Sequence, residues 1–300
     1  MNRQTVYPKS ELEWLQARTN DITSTEISAL FGISPYITEF ELWHRKKTKD
    51  VVKIEENTRM KWGKRLEPTI AMGIAEDHDL KITPFKEYVR LIDFKIGSSF
   101  DYSIGSDGLL EIKNVDARVY NSGWEISDDD IQAPNHIEMQ VQHQLLVSGR
   151  KYALIGAFIG GNEITLLKRE PDKDIQDAIL RKTKAFWASI EANQPPKPDF
   201  EKDYEFIRHL NSYAEPGKII EPNDRMIDLS QKYKLLSDQI KVAESQRDGI
   251  KAELLTMMGD AEKVKGDTFS ISAGIIGEAQ VSYTRKSYRD FRLFFKKTKE

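Results

Sequence analysis

The sequence of 300 residues contains no cysteine. This absence excludes disulfide bridges, zinc sites built on cysteine and cysteine-ligated iron–sulfur clusters, and it fits a reducing cytoplasm. No apolar run approaches the length of a membrane span, and the opening segment MNRQTVYPKSELEW lacks the apolar region of a secretory signal. The composition therefore predicts a cytoplasmic protein with no membrane segment.

The sequence also lacks the motifs of ATP-driven motors and of zinc enzymes. There is no Gly-rich phosphate loop of the Walker type, so the sequence does not imply an ATP-driven motor. The five histidines show no metal-ligand spacing, which argues against a zinc enzyme. The formal charge of −3 neither favours nor opposes a nucleic-acid partner, because the distribution of charge matters more than its sum.

The charge is distributed unevenly along the chain. Residues 43–53 and 59–65 are basic, residues 283–297 interleave basic and aromatic side chains, and residues 125–130 are acidic. Basic residues mixed with aromatic ones suit a phosphate backbone with stacking bases. Solvated helix faces give the same pattern, and for any single run this simpler interpretation is favoured.

The proline-rich segment QPPKPDF is the best candidate for a domain boundary, and it predicts two parts, residues 1–198 and 199–300. In the first part, residues 10–33 have the pattern of two helices around a turn, the first capped by Ser10 and the second by Thr23 or Ser24.

In the second part, apolar residues alternate steps of four and three from Leu229 to Met257. This heptad spacing predicts a long helix packed on a partner helix. Residues 268–286 predict a small β-hairpin.

The segment SFDYSIGSDGLLEIKN, residues 99–114, places a glutamate and a lysine in an apolar strand. Alternate side chains share a face of a strand, so Glu111 and Lys113 point together while Leu110 and Ile112 face a core. A three-residue turn containing glycine would bring Asp101 opposite Glu111. Two close carboxylates repel each other unless a cation lies between them, and hard oxygen ligands suit Mg²⁺. An exposed hairpin edge with an ion pair is the alternative, and this motif alone does not decide between them.

The pattern of Asp, spacer and Glu-x-Lys resembles the core motif of the PD-(D/E)xK nucleases. Three more segments, in matching order, resemble motifs of the YqaJ-type viral recombinases and lambda-exonuclease-type nucleases: EWLQAR with ITSTE (13–26), WGKRLEP (62–68) and MQVQHQLLVSG (139–149). An ordered set of motifs is more specific than any one of them. The sequence departs from the family pattern in having Phe100 where proline is usual, and in a short spacer between Asp101 and Glu111.

The resemblance implies a fold and an activity. The fold is α/β (α+β): a PD-(D/E)xK restriction-endonuclease-like core with a mixed sheet flanked by helices, followed by a helical extension with a small β-hairpin. The activity is that of a Mg²⁺-dependent exonuclease, with Mn²⁺ as a substitute, which degrades linear double-stranded DNA from the 5′ end and releases 5′-phosphomononucleotides. The remaining 3′ single strand would serve a single-strand annealing protein in phage-type recombination, in a bacterial or phage-infected cell. A homo-oligomeric ring around DNA, often a trimer, is also implied.

The resemblance also implies roles for individual residues. Asp101 and Glu111 correspond to metal ligands, the carbonyl group of Leu110 or Ile112 to a further oxygen ligand, and Glu67 to a residue that helps to hold the metal or its water. Lys113 corresponds to the catalytic lysine and Gln140 to a glutamine near the catalytic centre. Arg18 with Thr25 or Ser24 corresponds to the site for the 5′-terminal phosphate, a task that suits a guanidinium and a hydroxyl group.

Two alternatives remain at this point: another repair or restriction nuclease with the same core, and a non-catalytic DNA-binding or scaffold protein. The complete set of Glu67, Asp101, Glu111 and Lys113 argues against a decayed site. His136, His143 and Gln144 are expected on a solvated helix face.

Overall fold

The computed structural model describes residues 1–49, 51, 56–127, 131–285 and 288–295. Parts of the runs noted above lie outside these ranges: residues 50, 52 and 53 of the first basic run, residues 128–130 of the acidic run, and residues 286, 287, 296 and 297 in the C-terminal basic region. The chain divides into two compact units, Met1–Phe206 and the residues from Ile207 onward.

The described residues form eight α-helices, two 3-10 helices and thirteen strands. The helices are α1 Glu11–Thr19, α2 Glu39–Thr48, α3 Thr58–Asp77, α4 Ala117–Gly123, α5 Asn135–Ser148, α6 Lys173–Glu191, α7 Tyr204–Leu210 and α8 Asp224–Met258, with 3-10 turns at Ile27–Phe31 and Ile92–Phe94. The strands are β1 Arg3–Val6, β2 Ile22–Thr23, β3 Ile82–Pro84, β4 Tyr88–Leu91, β5 Ile96–Ser98, β6 Tyr102–Ile104, β7 Gly108–Val115, β8 Glu125–Ile126, β9 Ile131–Gln132, β10 Tyr152–Ile159, β11 Glu163–Arg169, β12 Lys263–Lys265 and β13 Ser270–Ser272. None of the helices described is both long and apolar enough to cross a membrane.

Besides the short antiparallel pair of β8 and β9, two main sheets build the first unit. The larger has the strand order β11-β10-β7-β6-β3, and the smaller has the order β1-β4-β5-β2. In the larger sheet, β7 and β10 are parallel, whereas β6 runs antiparallel to β7 and β11 antiparallel to β10. A parallel pair needs a crossover connection, and the segment that contains α5 provides it. The mixed sheet flanked by helices that the sequence predicts is confirmed.

Helix α5 is the centre of the main core. Its apolar residues Ile137, Val141 and Leu145 are buried in one cluster with residues of both sheets, among them Leu91 of β4 and Ile155 of β10. The middle of α5 therefore has neighbours on opposite sides. This position explains why even its polar side chains are buried.

Helix α3 covers the other face of the larger sheet. Ile70 and Ile74 of α3 form a second cluster with Leu110 and Ile112 of β7. The helix approaches β10 so closely that a Cβ atom on Gly156 would lie 2.4 Å from Cδ1 of Ile74. Glycine at this position lets the helix pack against the sheet.

The prediction for residues 10–33 is half correct. Ser10 caps α1 by accepting a hydrogen bond from the backbone N–H of Glu13 (3.2 Å), as predicted. The second helix is wrong: β2 pairs with β5, and only a 3-10 turn follows, with no side-chain cap at its start. The β-branched residues Ile22 and Thr23 find a strand partner in β5, and this pairing takes them out of a helix.

The second unit contains the predicted long helix, α8, with Asn223 as its N-cap. The predicted hairpin at 268–286 is wrong in its extent. Strand β12, before the predicted segment, pairs with β13, and the described residues after Ser272 form no strand. Gly274 and Gly277 flank the apolar pair Ile275–Ile276 and weaken that segment as a strand.

Candidate active site

A tight hairpin brings the two predicted carboxylates together. Strands β6 and β7 are joined by the three residues Gly105–Asp107, and Gly105 adopts the positive φ of 55° that this turn requires. The register of the two strands places Asp101 opposite Glu111, as predicted. Oδ2 of Asp101 accepts a hydrogen bond from the backbone N–H of Ile112 (2.8 Å), which fixes the Asp101 carboxylate against β7.

Three side chains donate hydrogen bonds to the buried Glu111 carboxylate. Its Oε1 accepts from Nζ of Lys113 (2.5 Å) and from Nε2 of Gln140 (2.6 Å), and its Oε2 accepts from Nε2 of Gln144 (2.7 Å). A carboxylate has about four lone-pair positions, two on each oxygen. One lone-pair position therefore stays available on Oε2. The donors hold Glu111 in place and leave this position open.

Lys113 connects Glu111 with Gln140. Its ammonium group also donates to Oε1 of Gln140 (3.1 Å), so two of its three hydrogens have acceptors. Burial alone would lower the pKa of Lys113, but the carboxylates of Glu111 and Asp101 outweigh burial and raise this pKa above its ordinary value. Lys113 is therefore a fixed cation in this arrangement.

The acidic groups around the hairpin repel one another. Burial and the charge of Glu111 raise the pKa of Asp101 well above its ordinary value. The pKa of Glu67, on α3, is also raised, first by burial and then by Glu111. Like-charged groups of this kind are relieved by a cation, and their hard oxygens suit Mg²⁺.

The oxygen atoms of Asp101 and Glu111 suit a divalent ion in their chemistry. Oδ2 of Asp101 and both oxygens of Glu111 are hydrogen-bonded, but lone-pair positions remain on Oε2 of Glu111 and on Oδ1 of Asp101, which has no protein donor in the described part of the chain. Over the described ranges, no three His, Asp or Glu side chains stand close enough to form a metal cluster. The geometry thus supports two protein carboxylates as ligands, with Glu67 acting on them through its charge.

The expectation of a solvated face on α5 is wrong for two residues. His143 is 0% exposed and Gln144 is 2% exposed, because α5 lies between the two sheets. Both ring nitrogens of His143 are buried, and burial lowers its pKa to about 4 against the smaller, opposing effects of the Ile22 backbone and the charge of Glu26. His136, in the first turn, is only partly exposed, and its ring lies 5.7 Å from that of Tyr36.

Gln144 is therefore a site residue that the sequence interpretation missed. Gln140 and Gln144 are four residues apart, so they lie on one face of α5, and both reach the same carboxylate. The spacing of Gln140 and Gln144 indicates that both side chains can reach one group. It does not by itself predict burial, because two glutamines at i and i+4 are also common on a solvated helix face.

A second group of side chains lies at the end of α1. The guanidinium of Arg18 stands 4.3 Å above the ring of Trp14, and its Nη2 donates to Oγ1 of Thr25 (3.4 Å) and of Thr23 (3.5 Å). Thr25 is exposed, whereas the buried Ser24 accepts a hydrogen bond from Oγ of Ser98 (3.0 Å). Of the two hydroxyl groups predicted beside Arg18, only that of Thr25 contacts it.

An ion pair supports this second group from behind. The buried ammonium of Lys46, on α2, donates to the carbonyl oxygen of Arg18 (2.9 Å) and pairs with Glu26 (2.8 Å). Burial would raise the pKa of Glu26, but the charges of Lys46 and Arg18 outweigh burial and lower this pKa. The end of α1 is thus held by a charged network that keeps Arg18 beside Thr25.

Two serines connect the Arg18 group with the hairpin. Ser98 binds Ser24, and Oγ of Ser99 accepts a hydrogen bond from Nε1 of Trp14 (2.7 Å). Ser99 lies two residues before Asp101, and its carbonyl oxygen is 3.5 Å from Nε2 of Gln144. The same short segment therefore positions both groups.

Comparisons with known proteins show a family match over the segment that carries these motifs. Residues 13–151 match the family described as YqaJ-like viral recombinase domain. The chain is 28% identical over 257 residues to the uncharacterized protein YqaJ of Bacillus subtilis strain 168, which covers 83% of this chain and 79% of that protein.

Two solved structures are similar at lower levels. The alkaline exonuclease of Laribacter hongkongensis is 19% identical with a TM-score of 0.48, over 66% of this chain and 99% of that one. A phage related exonuclease from Haemophilus somnus 129PT is 14% identical with a TM-score of 0.39, over 62% of this chain and 89% of that one. Residues 13–151, the part of the chain that is similar to the YqaJ-like viral recombinase domain, contain the hairpin, the Arg18 group and α5.

Proposed function

We propose that this protein is a Mg²⁺-dependent exonuclease that degrades linear double-stranded DNA from its 5′ ends. The observation that carries the proposal is the constellation of Asp101, Glu111 and Lys113 on one hairpin, with Glu111 held by two glutamines. A carboxylate that is buried and oriented by three donors, beside a second carboxylate of raised pKa, suits a metal-assisted hydrolase better than an exposed hairpin edge.

Each residue of this constellation has its own role in the proposed hydrolysis of a phosphodiester. Asp101, Glu111 and the carbonyl group of Ile112 would hold the ion, with Glu67 close enough to add its charge. A divalent ion bound there supplies polarisation of the phosphate and a lowered pKa for a bound water. Two of the three ammonium hydrogens of Lys113 have acceptors among the described residues, and the third can be directed at the phosphate or the attacking water. Gln140 and Gln144 orient Glu111, and Gln140 also orients Lys113.

The second group of side chains supports the proposed polarity. Arg18 and Thr25 present a guanidinium and an exposed hydroxyl group, which suit a terminal 5′-phosphate. An enzyme anchored at a 5′-phosphate would release 5′-phosphomononucleotides and leave a 3′ single strand. We propose that a single-strand annealing protein of the same phage-type recombination module receives this strand, in the cytoplasm of a bacterial or phage-infected cell.

The test is digestion of a linear duplex labelled at either the 5′ or the 3′ end, with Mg²⁺, with Mn²⁺ or with EDTA. We expect the 5′ label to be released first, with either metal, and no release in EDTA. Asp101→Asn should remove the activity. The matched control is Asp107→Asn, which changes an exposed aspartate of the same hairpin and should leave the rate unchanged.

Three results would contradict the proposal. Early release of the 3′ label would reverse the polarity. Undiminished cleavage by Asp101→Asn would place the metal elsewhere. DNA binding without cleavage by the folded wild-type protein, under both metals, would favour the non-catalytic alternative.

A further inference from the structure

Helix α8 carries a long apolar stripe that is open to solvent. Its 35 residues span about 52 Å at 1.5 Å per residue. The stripe, defined as the positions that alternate steps of four and three from Leu229 to Met257, has seven large apolar members, all of them exposed: Leu229, Tyr233, Leu236, Ile240, Ile250, Leu254 and Met257. Two further positions of the stripe hold Ala243 and Arg247. A heptad seam of this length is stable in water when a second helix covers it.

We propose that the stripe is covered by α8 of a second copy of this chain, packed antiparallel. The charge of the helix favours self-association over a nucleic-acid partner. Between Asp224 and Met258 there are six Lys or Arg residues and six Asp or Glu residues. A neutral helix does not repel its copy, whereas a DNA-binding surface needs an excess of positive charge.

The arginine within the stripe selects the orientation. In a parallel pair in register, Arg247 would lie against Arg247 of the second copy, and two buried guanidinium groups would face each other without an acid between them. In an antiparallel pair, Arg247 lies against Ala243 of the second copy. The small Ala243 leaves room for the long side chain, and the neighbouring Glu244 of that copy offers a carboxylate.

The same register pairs eight of the nine stripe positions, and only Leu229, near the start of the helix, has no facing position on α8. When Arg247 lies opposite Ala243, the other facing pairs are Tyr233 with Met257, Leu236 with Leu254, and Ile240 with Ile250. Each pair then occurs twice, as a two-fold interface requires, and the charged layers fall at the centre. Apolar layers occupy both outer parts of the seam.

The chain's own tail is the competing occupant. Phe291 lies 5.5 Å from Tyr233, ring centre to ring centre, at one end of the stripe. Full cover by the tail would leave the protein without a dimer contact through α8. The two-fold seam also differs from a three-fold ring, since a ring needs contacts between unlike surfaces.

The first experiment compares Leu236→Asp with Leu235→Asp by light scattering of the full-length protein. The two leucines are adjacent and equally exposed, at 58% and 59%, but only Leu236 belongs to the stripe. An aspartate at 236 would be buried opposite Leu254, so we expect this variant to dissociate with a Kd raised by about 100-fold or more. We expect Leu235→Asp to keep the mass of the wild type, twice that of Leu236→Asp.

A ring assembled through the first unit would multiply both masses equally and leave their ratio at two. Equal masses for the two variants, or a monomeric wild type at micromolar concentration, would overturn the proposal. Circular dichroism establishes that each variant keeps its helix content.

The second experiment tests the orientation and does not depend on a destabilising change. The natural sequence has no cysteine, so an engineered thiol is the only one in each chain. Ile240→Cys and Ile250→Cys are oxidised separately and then as a mixture. The antiparallel register predicts a disulfide-linked dimer only in the mixture, because position 240 faces position 250. Cross-linking of each variant on its own would indicate a parallel pair, and the absence of any cross-link would exclude the seam.

Discussion

Gln144 donates a hydrogen bond of 2.7 Å from Nε2 to Oε2 of Glu111. Gln140, one turn earlier on α5, holds the other oxygen of the same carboxylate. A helix buried between two sheets thus fixes both oxygens of a strand residue that the proposed reaction needs as a metal ligand. Residues that orient a ligand in this way commonly affect metal affinity and activity by 10- to 100-fold.

Gln144→Leu should lower the rate of DNA cleavage and the affinity for Mn²⁺ by roughly 10- to 100-fold, because Oε2 of Glu111 loses the one donor that it has among the described residues. Isothermal titration with Mn²⁺ measures the affinity directly. Gln142→Leu is the matched control: Gln142 is also buried on α5, but it bonds the backbone at Glu170 and Asp172. Gln142→Leu should lower the free energy of unfolding by about 1 to 3 kcal/mol and leave the Mn²⁺ affinity unchanged. Similar metal affinities for the two variants would make Gln144 a purely structural residue.

Lys113→Ala should lower cleavage by about 100-fold or more while DNA binding stays near the wild-type level, because Lys113 acts on the reacting groups at the hairpin. Lys151→Ala serves as the control, since Lys151 forms an exposed ion pair with Asp107 at the other end of the hairpin. Single-turnover cleavage and DNA-binding titrations are to be compared for both variants. If Lys113→Ala is folded and cleaves at a near-normal rate, the catalytic assignment of this lysine is wrong.

The local features of the site could be predicted from the sequence. The three-residue turn with Gly105 and the alternation along β7 determine that Asp101 faces Glu111, and both are properties of adjacent residues. The end of α5 at Gly149, with φ of 72°, follows from a similarly local rule. The presence of a long helix between Leu229 and Met257 could also be predicted, because heptad spacing is a local pattern.

Most of the errors concern contacts between distant parts of the chain, whereas the misplaced hairpin at 268–286 is a local error. Gln144 and His143 are buried because two sheets enclose α5, and no spacing within α5 shows that. Thr23 joins a strand rather than a helix because β5, more than 70 residues later, offers it a partner. The sequence contained Ser24 and Thr25 as equivalent hydroxyl groups, and their difference arises from the contact of Ser24 with Ser98.

Arg18→Ala should slow the digestion of 5′-phosphorylated ends by about 10- to 100-fold, since a charge-assisted hydrogen bond to the phosphate is lost. Ends with a 5′-hydroxyl group should be affected much less, because that contact does not exist for them. Thr25→Val should act in the same direction and more weakly. Ser24→Ala should change stability without changing the preference for the phosphate. Equal losses for Arg18→Ala on both kinds of end would make Arg18 a structural residue or a general backbone contact.

His143 should make the protein less stable in mild acid. The pKa of His143 is about 4 in the folded protein and 6.5 in the unfolded chain, because burial disfavours the charged ring. Above pH 6.5 both states hold a neutral imidazole, so His143 gives no pH dependence there. As the pH falls from 6.5 to about 4, the unfolded chain takes up a proton that the folded protein refuses, and stability declines by about 3 kcal/mol.

His143→Leu isolates this contribution, because the change removes the titrating ring from a fully buried position. The measurement is urea unfolding of both proteins in EDTA at intervals from pH 7.5 to pH 4, which cover the two pKa values of His143. Other titrating groups cancel in the difference between the two free energies of unfolding. That difference should be constant above pH 6.5 and should shift by about 3 kcal/mol in favour of His143→Leu by pH 4. A difference that stays constant over the whole range would mean that the folded protein accommodates a charged His143.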